Sequence, residues 1–353
     1  MLDGRCMKAL QLTSWGKPAE LRDVPIPKPD AGQVVIAVAG AGACHSDLHL
    51  MDWPPGMLPW RVPFTLGHEN AGWVHELGPG VTGLAIGDAV LVYGPWGCGR
   101  CEPCRLGREN YCDRASELPG AGGGLGYDGG MAEYMLVPSA RFLVPIGDLD
   151  PIKAAPLADA ALTPYHAIGM VRDRLVPGAS AIVIGAGGLG QMAIQLLKAT
   201  TGARVIAIDK DLGKLETARR YGADHCIPIG HDVAATAATV RTITDGGAHA
   251  VLDFVGAEAT LALAAKLLRA EGRLVIVGLA GGALPVSFFG LPYGAQVATS
   301  YWGTVPELME LVALAREGRI ALDVETFTLD EAMTAYAKLR RGELRGRAVI
   351  VPG

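Results

Sequence analysis

Four cysteines fall within fifteen residues, as Cys98-x-x-Cys101-x-x-Cys104 and, after seven intervening residues, Cys112. A short loop with this spacing can fold back and set four thiolates tetrahedrally round a zinc ion, closing a structural site. Disulfides or small buried hydrophobes are the other uses of such thiols. The remaining three cysteines are scattered and the chain shows no leader, which argues for metal. A second set of metal-binding types is split between Cys44-His45-Ser46-Asp47-Leu48-His49 and Gly67-His68-Glu69. Thiolate and imidazole are favoured zinc ligands, and a site that leaves one position to water or substrate is catalytic. Taken singly, a core cysteine or a hydrogen-bonded histidine accounts for each of these residues equally well.

A third pattern, Gly185-Ala186-Gly187-Gly188-Leu189-Gly190, directly follows an apolar run and directly precedes a helical segment, residues 191–200. Glycine permits the tight turn, lets backbone approach a pyrophosphate, and aims a positive helix N-terminus at its charge. The next apolar run, RVIAID, ends in Asp209, nineteen residues past Gly190. A carboxylate there accepts from both hydroxyls of an adenosine ribose and repels a 2′-phosphate, so NAD is favoured over NADP. Neighbouring Lys210 is the contrary charge. Lys214 reads either as a cap on that ribose or as a surface helix lysine.

The elements that must hold these groups follow from the hydrophobic pattern. Up to about residue 150, short β-branched runs such as VVIAV (34–38) and AVLVY (89–93) alternate with Gly/Pro turns, a β-rich pattern. From about residue 180, strands AIVIG, RVIAID, AVLDFVG and RLVIVG alternate with helices near 188–200, 214–221 and 261–269. Such alternation predicts a parallel sheet with helices on both faces. After about 299, a helix through 312, the run TFTLDEAMTAYAKLRRG and a final RAVIVP strand break the rhythm, so the tail is expected to rejoin the first domain. The fold class is therefore α/β: a β-rich domain over 1–159 and 300–353, and a doubly wound domain over 160–299. Residues 120–130, GAGGGLGYDGG, read as a mobile loop.

Composition excludes several functions. With 353 residues, the chain is longer than one compact core usually grows. A net charge of −5 without a basic block gives nucleic acid no foothold. No uninterrupted apolar run has bilayer-spanning length, and MLDGRCMKALQL lacks the form of a secretory signal, so the cytoplasm is the expected location.

Taken together, GHE at 67–69, CHSD at 44–47, the four-cysteine loop, the glycine turn and their order resemble the zinc-dependent medium-chain alcohol dehydrogenases. More narrowly, GPWGCGRCEPCRLGRENYC, VPIGDLDP, LTPYHAI, LDFVG, YWGT and RAVIVPG are similar to NAD-dependent bacterial secondary-alcohol dehydrogenases and aryl-ketone or phenylacetaldehyde reductases of the Rhodococcus type. The resemblance implies a GroES-like catalytic domain, with a Rossmann cofactor domain inserted between its two pieces. It also implies two zinc ions. One is held by Cys44, His68 and Asp159, the last a carboxylate where many relatives carry cysteine. The other is held by Cys98, Cys101, Cys104 and Cys112. Cys6 and Cys226 are left as thiols that bind no metal.

The same resemblance assigns further roles. Glu69 orients the catalytic site or ligates transiently. Ser46 and His49 form a proton relay, although the narrower subgroup carries an aromatic ring at His49, which leaves that residue equally a pocket wall. His45 faces cofactor phosphate, and Arg347 either lies near the pyrophosphate or is an ion-pair partner. Trp60, Tyr301 and Trp302 match pocket-lining positions, with Trp53 and Leu125 as further wall candidates. These rings suit alkyl or aryl groups flanking a carbinol carbon. The implied reaction is reversible oxidation of secondary, and some primary, alcohols to ketones or aldehydes, with hydride passing to NAD. A polyol, butanediol or sugar dehydrogenase of the same superfamily is the alternative, and a non-catalytic zinc-stabilised binding protein is the alternative of another class. Fold analogy also implies a homodimer or homotetramer, with residues 284–300 extending a sheet across a twofold axis.

Overall fold

The computed structural model describes residues 6–230, 233–344 and 346–353. Residues 1–5, part of the N-terminal stretch read above as leaderless, lie outside that range. The chain divides into two compact units. The first contains residues 1–159, 304–318 and 322–353; the second contains 160–303 and 319–321.

The first unit is built on the strand Val34–Gly42, whose residues are buried on both faces except Ala37. It pairs antiparallel with Glu69–Leu77, Tyr134–Val137 and Arg347–Val351. Two register shifts along the Glu69–Leu77 ladder let this strand bend, as bulges do. The last strand of the chain thus lies beside the third, and the tail completes a seven-stranded sheet. The helix Val305–Arg316 also belongs here. It starts later than the sequence suggested, because Thr304 and Glu307 form a capping box in which each side chain accepts from the other's backbone N–H.

The second unit carries a six-stranded parallel sheet. At its centre Ser180–Ile184 is fully buried between Arg204–Asp209 and Ala248–Asp253, the continuous apolar run expected of a strand covered on both faces. The glycine-turn helix spans Gly188–Thr200. The strand His225–Pro228 and the helix Val233–Ile243 went unread in the sequence, being short or low in apolar contrast.

Three expectations need correction. The helix expected through 269 ends at Leu267, where Leu268 already enters a strand. Within 284–300 only Gln296–Thr299 forms a strand, at the sheet's edge. Residues 120–130, expected as a loose loop, are packed: Gly122, Gly123 and Gly124 meet Gly94, Met135 and Gly67 so closely that a Cβ would collide. Here glycine serves close approach, where the sequence reading took it for freedom. Among the described residues, no helix is long and apolar enough to cross a membrane.

Candidate metal and cofactor sites

Cys44 follows the central strand by two residues and caps the helix His45–Asp52; His68 directly precedes the neighbouring strand, which Glu69 opens. Asp159 follows the short helical turn Ala155–Ala158. These segments bring one donor atom each from Cys44, His68, Glu69 and Asp159 within 4.8 Å of one another, all buried. Cys44 Sγ lies 3.8 Å from Asp159 Oδ2, and His68 Nε2 lies 3.6 Å from the same oxygen. Tetrahedral zinc with bonds of about 2.0–2.3 Å would separate its ligands by about 3.4–3.8 Å, so this sulfur, nitrogen and oxygen set fits the ion.

Two neighbours set the electrostatics of the cluster. Asp47, fully buried, accepts from the Cys44 N–H at 2.9 Å through Oδ2 and places Oδ1 3.2 Å from His68 Nδ1. With a metal bound, that carboxylate would favour the proton on Nδ1 and leave Nε2, which lies near Asp159, as the ligand atom. Burial works against a charged His68, but the Asp47 and Asp159 carboxylates outweigh it and lift the imidazole well above its usual range. Glu69 is gripped by Arg347, whose Nε lies 3.0 Å from Oε2 while its terminal nitrogen bonds Oε1. Burial still pushes the Glu69 carboxyl up, to about 7. Gly42, opposite Glu69 in the ladder, leaves the space in which this carboxylate lies.

The four-cysteine loop is equally well formed. Cys98 and Cys104 sulfurs are 4.0 Å apart and Cys101 and Cys112 sulfurs 3.9 Å, close to the edge of a zinc–thiolate tetrahedron, about 3.8 Å. Backbone N–H groups of Arg100 and Cys101 hold the Cys98 thiol down, to about 6, which favours the ligating thiolate. Among the described residues, no cysteine forms a disulfide.

In the second unit, Gly185 adopts φ +89° and its N–H donates to Ile208 O at 2.8 Å, fixing the turn. Gly190 packs against Gly185 O with no room for a Cβ, whereas nothing lies within 4 Å of a Cβ built on Gly187. The helix N-terminus is therefore open for a ligand where a pyrophosphate needs it. Asp209 Oδ2 accepts from Ala186 N–H at 2.7 Å and Oδ1 from Asp211 N–H at 2.9 Å, tying the turn to the strand end. Lys214 sits in the first turn of the next helix, Leu212–Arg220.

A family model described as the alcohol dehydrogenase GroES-like domain matches residues 30–148, and one described as zinc-binding dehydrogenase matches 188–317. An NAD-dependent alcohol dehydrogenase of Sulfurisphaera tokodaii is 38% identical over 98% of this chain and all of that protein. The chain belongs to the zinc-dependent medium-chain alcohol dehydrogenase family. Among solved structures, an alcohol dehydrogenase from Aeropyrum pernix matches with a TM-score of 0.88 and 38% identity, over 98% of this chain and 100% of that one. Acetophenone reductase from Geotrichum candidum, solved with NAD, matches with a TM-score of 0.85 and 31% identity, over 98% and 97%.

The first unit has the GroES-like fold and the second the Rossmann-like fold of this family of oxidoreductases. The structure brings Cys44, His68, Glu69 and Asp159 together, and separately the four lobe cysteines. Ser46 Oγ lies 3.7 Å from Cys44 Sγ. His49, one helical turn on, stacks on Trp53 with centroids 5.6 Å apart, and its Nδ1 is buried without a hydrogen-bond partner. His45 is exposed at the helix start. Arg347, expected near a pyrophosphate or in an ion pair, is buried with its guanidinium directed at Glu69. Trp60 packs edge-on to Phe64 in the first unit, where Leu125 is also buried. Tyr301 and Trp302 pair edge-to-face in the second unit, Tyr301 exposed and Trp302 buried. The sequence reading missed Asp47, although an acidic residue three positions past a helix's cap is a capping-box signal.

Proposed function

We propose that the protein oxidises secondary alcohols to ketones with NAD and runs the reverse reduction. The observation that carries this reading is the donor set of Cys44, His68 and Asp159, in which a carboxylate oxygen stands beside a single thiolate. A zinc ion held there would supply Lewis-acid polarisation of the alcohol or carbonyl oxygen, and a carboxylate ligand weakens sulfur donation and strengthens that effect. Zn²⁺ in the four-cysteine lobe is structural. The segments similar to Rhodococcus-type secondary-alcohol dehydrogenases support the substrate class, as does the likeness to an acetophenone reductase.

The chain's own residues do the remaining work. Asp47 and the Arg347–Glu69 pair fix the ligand array in a buried setting, where unpaired charge would be costly. Ser46, partly buried beside Cys44, would take the hydroxyl proton, and His49 would be the last member of that relay. Gly185, Gly187, Gly188, Leu189 and Gly190 would cradle the cofactor's pyrophosphate, and Asp209 would select the unphosphorylated ribose, with Lys214 beside it; Arg347, committed to Glu69, is left out of that role. Trp53, Trp60 and Leu125 in the first unit, and separately Tyr301 and Trp302 in the second, are the proposed apolar substrate contacts. The cytoplasm, where thiols stay reduced, is the proposed location, and a homodimer or a dimer of dimers the proposed assembly.

The test is NADH formation from NAD⁺ with 2-butanol, 1-phenylethanol and 2,3-butanediol, on zinc-replete protein and on protein dialysed against a chelator. Rapid, chelator-sensitive oxidation of the first two is expected. Turnover confined to the diol would replace the secondary-alcohol reading with a polyol one.

A further inference from the structure

The peptide immediately before His68 is enclosed on every side that the surrounding chain offers. Gly67 adopts φ +94°, and its own Cβ would come 2.8 Å from Met131 Cγ. Its carbonyl accepts from Gly130 N–H at 3.0 Å and from Asn70 Nδ2 at 2.9 Å. Gly129 N–H donates to Thr65 O and Met131 N–H to Leu66 O, both at 2.9 Å, so residues 129–131 are zipped along 65–67. Asp128 Oδ1 closes the zipper's start by accepting from Thr65 N–H at 2.7 Å. A side chain on Gly124 or Gly129 would fall inside van der Waals contact with Gly67 O, and one on Gly130 would strike Asn70 Oδ1. Met131, fully buried, is held in turn by the Tyr336 hydroxyl, which donates to its Sδ at 3.1 Å.

We propose that the glycine loop 120–130, together with Asn70, is a bracket that positions His68 for metal binding. Gly124, Gly129 and Asn70 are then positioning residues that act through the Gly67 carbonyl. This inference rests on the reading of Cys44, His68 and Asp159 as one zinc site. The argument is mechanical. Asp47 fixes the imidazole at Nδ1, but a ring is placed only as well as the backbone that carries it, and ligand arrays tolerate about 0.5 Å of error. The bracket supplies the backbone half of that constraint. It also explains why this packed segment is so rich in glycine: the missing Cβ atoms at Gly124 and Gly129 let two backbones approach closely.

The test compares Gly129→Ala and Asn70→Ala with the wild-type chain and with Gly83→Ala, a positive-φ glycine with open space around it. Zinc per chain is measured by atomic absorption during dialysis against a weak chelator, and the cobalt(II)-substituted proteins are compared by visible absorption. Wild type and Gly83→Ala should retain two zinc ions. Gly129→Ala and Asn70→Ala should lose one of them about 10–100-fold faster and shift the cobalt bands. Asn70→Ala removes one hydrogen bond and adds no bulk, so it decides the matter if Gly129→Ala fails to fold. Two zinc ions retained as long in both variants as in wild type would overturn the bracket alone. A wild-type chain holding only one would sink the metal-site reading and the bracket with it.

Discussion

Asp47 shows how one buried carboxylate can serve a helix and a metal ligand together. One oxygen caps the helix through Cys44 N–H, and the other faces His68 Nδ1. In Asp47→Asn, the amide nitrogen must face either Cys44 N–H, donor against donor, or His68 Nδ1, which drives the ring proton to Nε2 and removes the ligating lone pair. Either way the site suffers. Metal affinity, read by chelator competition, should fall about 10–100-fold; an unchanged affinity would remove Asp47 from the site. In the second unit, Asp209→Gly should relax the NAD preference proposed above, read as the ratio of kcat/KM for NAD and NADP. That substitution also deletes the bonds to Ala186 and Asp211, so a weaker grip on both cofactors is expected alongside the changed ratio.

At the scale of elements, the strand Ala248–Asp253 carries a pH-sensitive contact. His249 Nδ1 accepts from Ser180 N–H at 3.1 Å, and its Nε2 lies 2.8 Å from Arg269. Burial, reinforced by Arg269 and Arg174, holds the imidazole below its ordinary value of 6.5. The folded ring stays neutral while the unfolded ring takes a proton, so stability contributed here is present above pH 6.5 and falls as pH drops through it. His249→Gln should flatten the decline in urea midpoint just below that pH, and a slope identical to wild type would contradict the assignment. Elements also mark what a sequence can disclose. The cysteine lobe and the glycine turn are contiguous, so their chemistry could be read from spacing alone. Asp159 is separated from Cys44 by more than a hundred residues, and only resemblance pointed to it. The bracket around Gly67 was misread as a loose loop, because a string of glycines does not say which backbone approaches it.

At the scale of the whole chain, the presence of both a β-rich fold and a parallel-sheet fold was legible from the change of hydrophobic period near residue 180. The assembly was not, since it depends on a surface and not on a pattern. In the second unit, Val286, Phe288, Phe289 and Tyr293 are exposed between 66% and 86% and precede the edge strand Gln296–Thr299. Exposed rings beside an open strand edge are a combination that solitary proteins avoid. Replacing Phe288 and Phe289 by Asp should lower the mass measured by light scattering to that of one chain. A mass that stays at a multiple of the single chain would place the interface elsewhere.

The position of Arg347–Val351 beside Val34–Gly42 also governs the order in which this protein can be born. Vectorial synthesis normally lets the N-terminal part of a polypeptide fold first. Here the nascent first unit must wait, its central strand lacking one neighbour and Glu69 lacking its guanidinium, until Arg347–Val351 has left the ribosome. The parallel-sheet unit, whose residues run from 160 to 303 with a short piece at 319–321, is synthesised in full earlier. Synthesis halted between residues 322 and 346 would thus yield a product with a finished cofactor unit and an open catalytic one, a natural substrate for quality-control proteases.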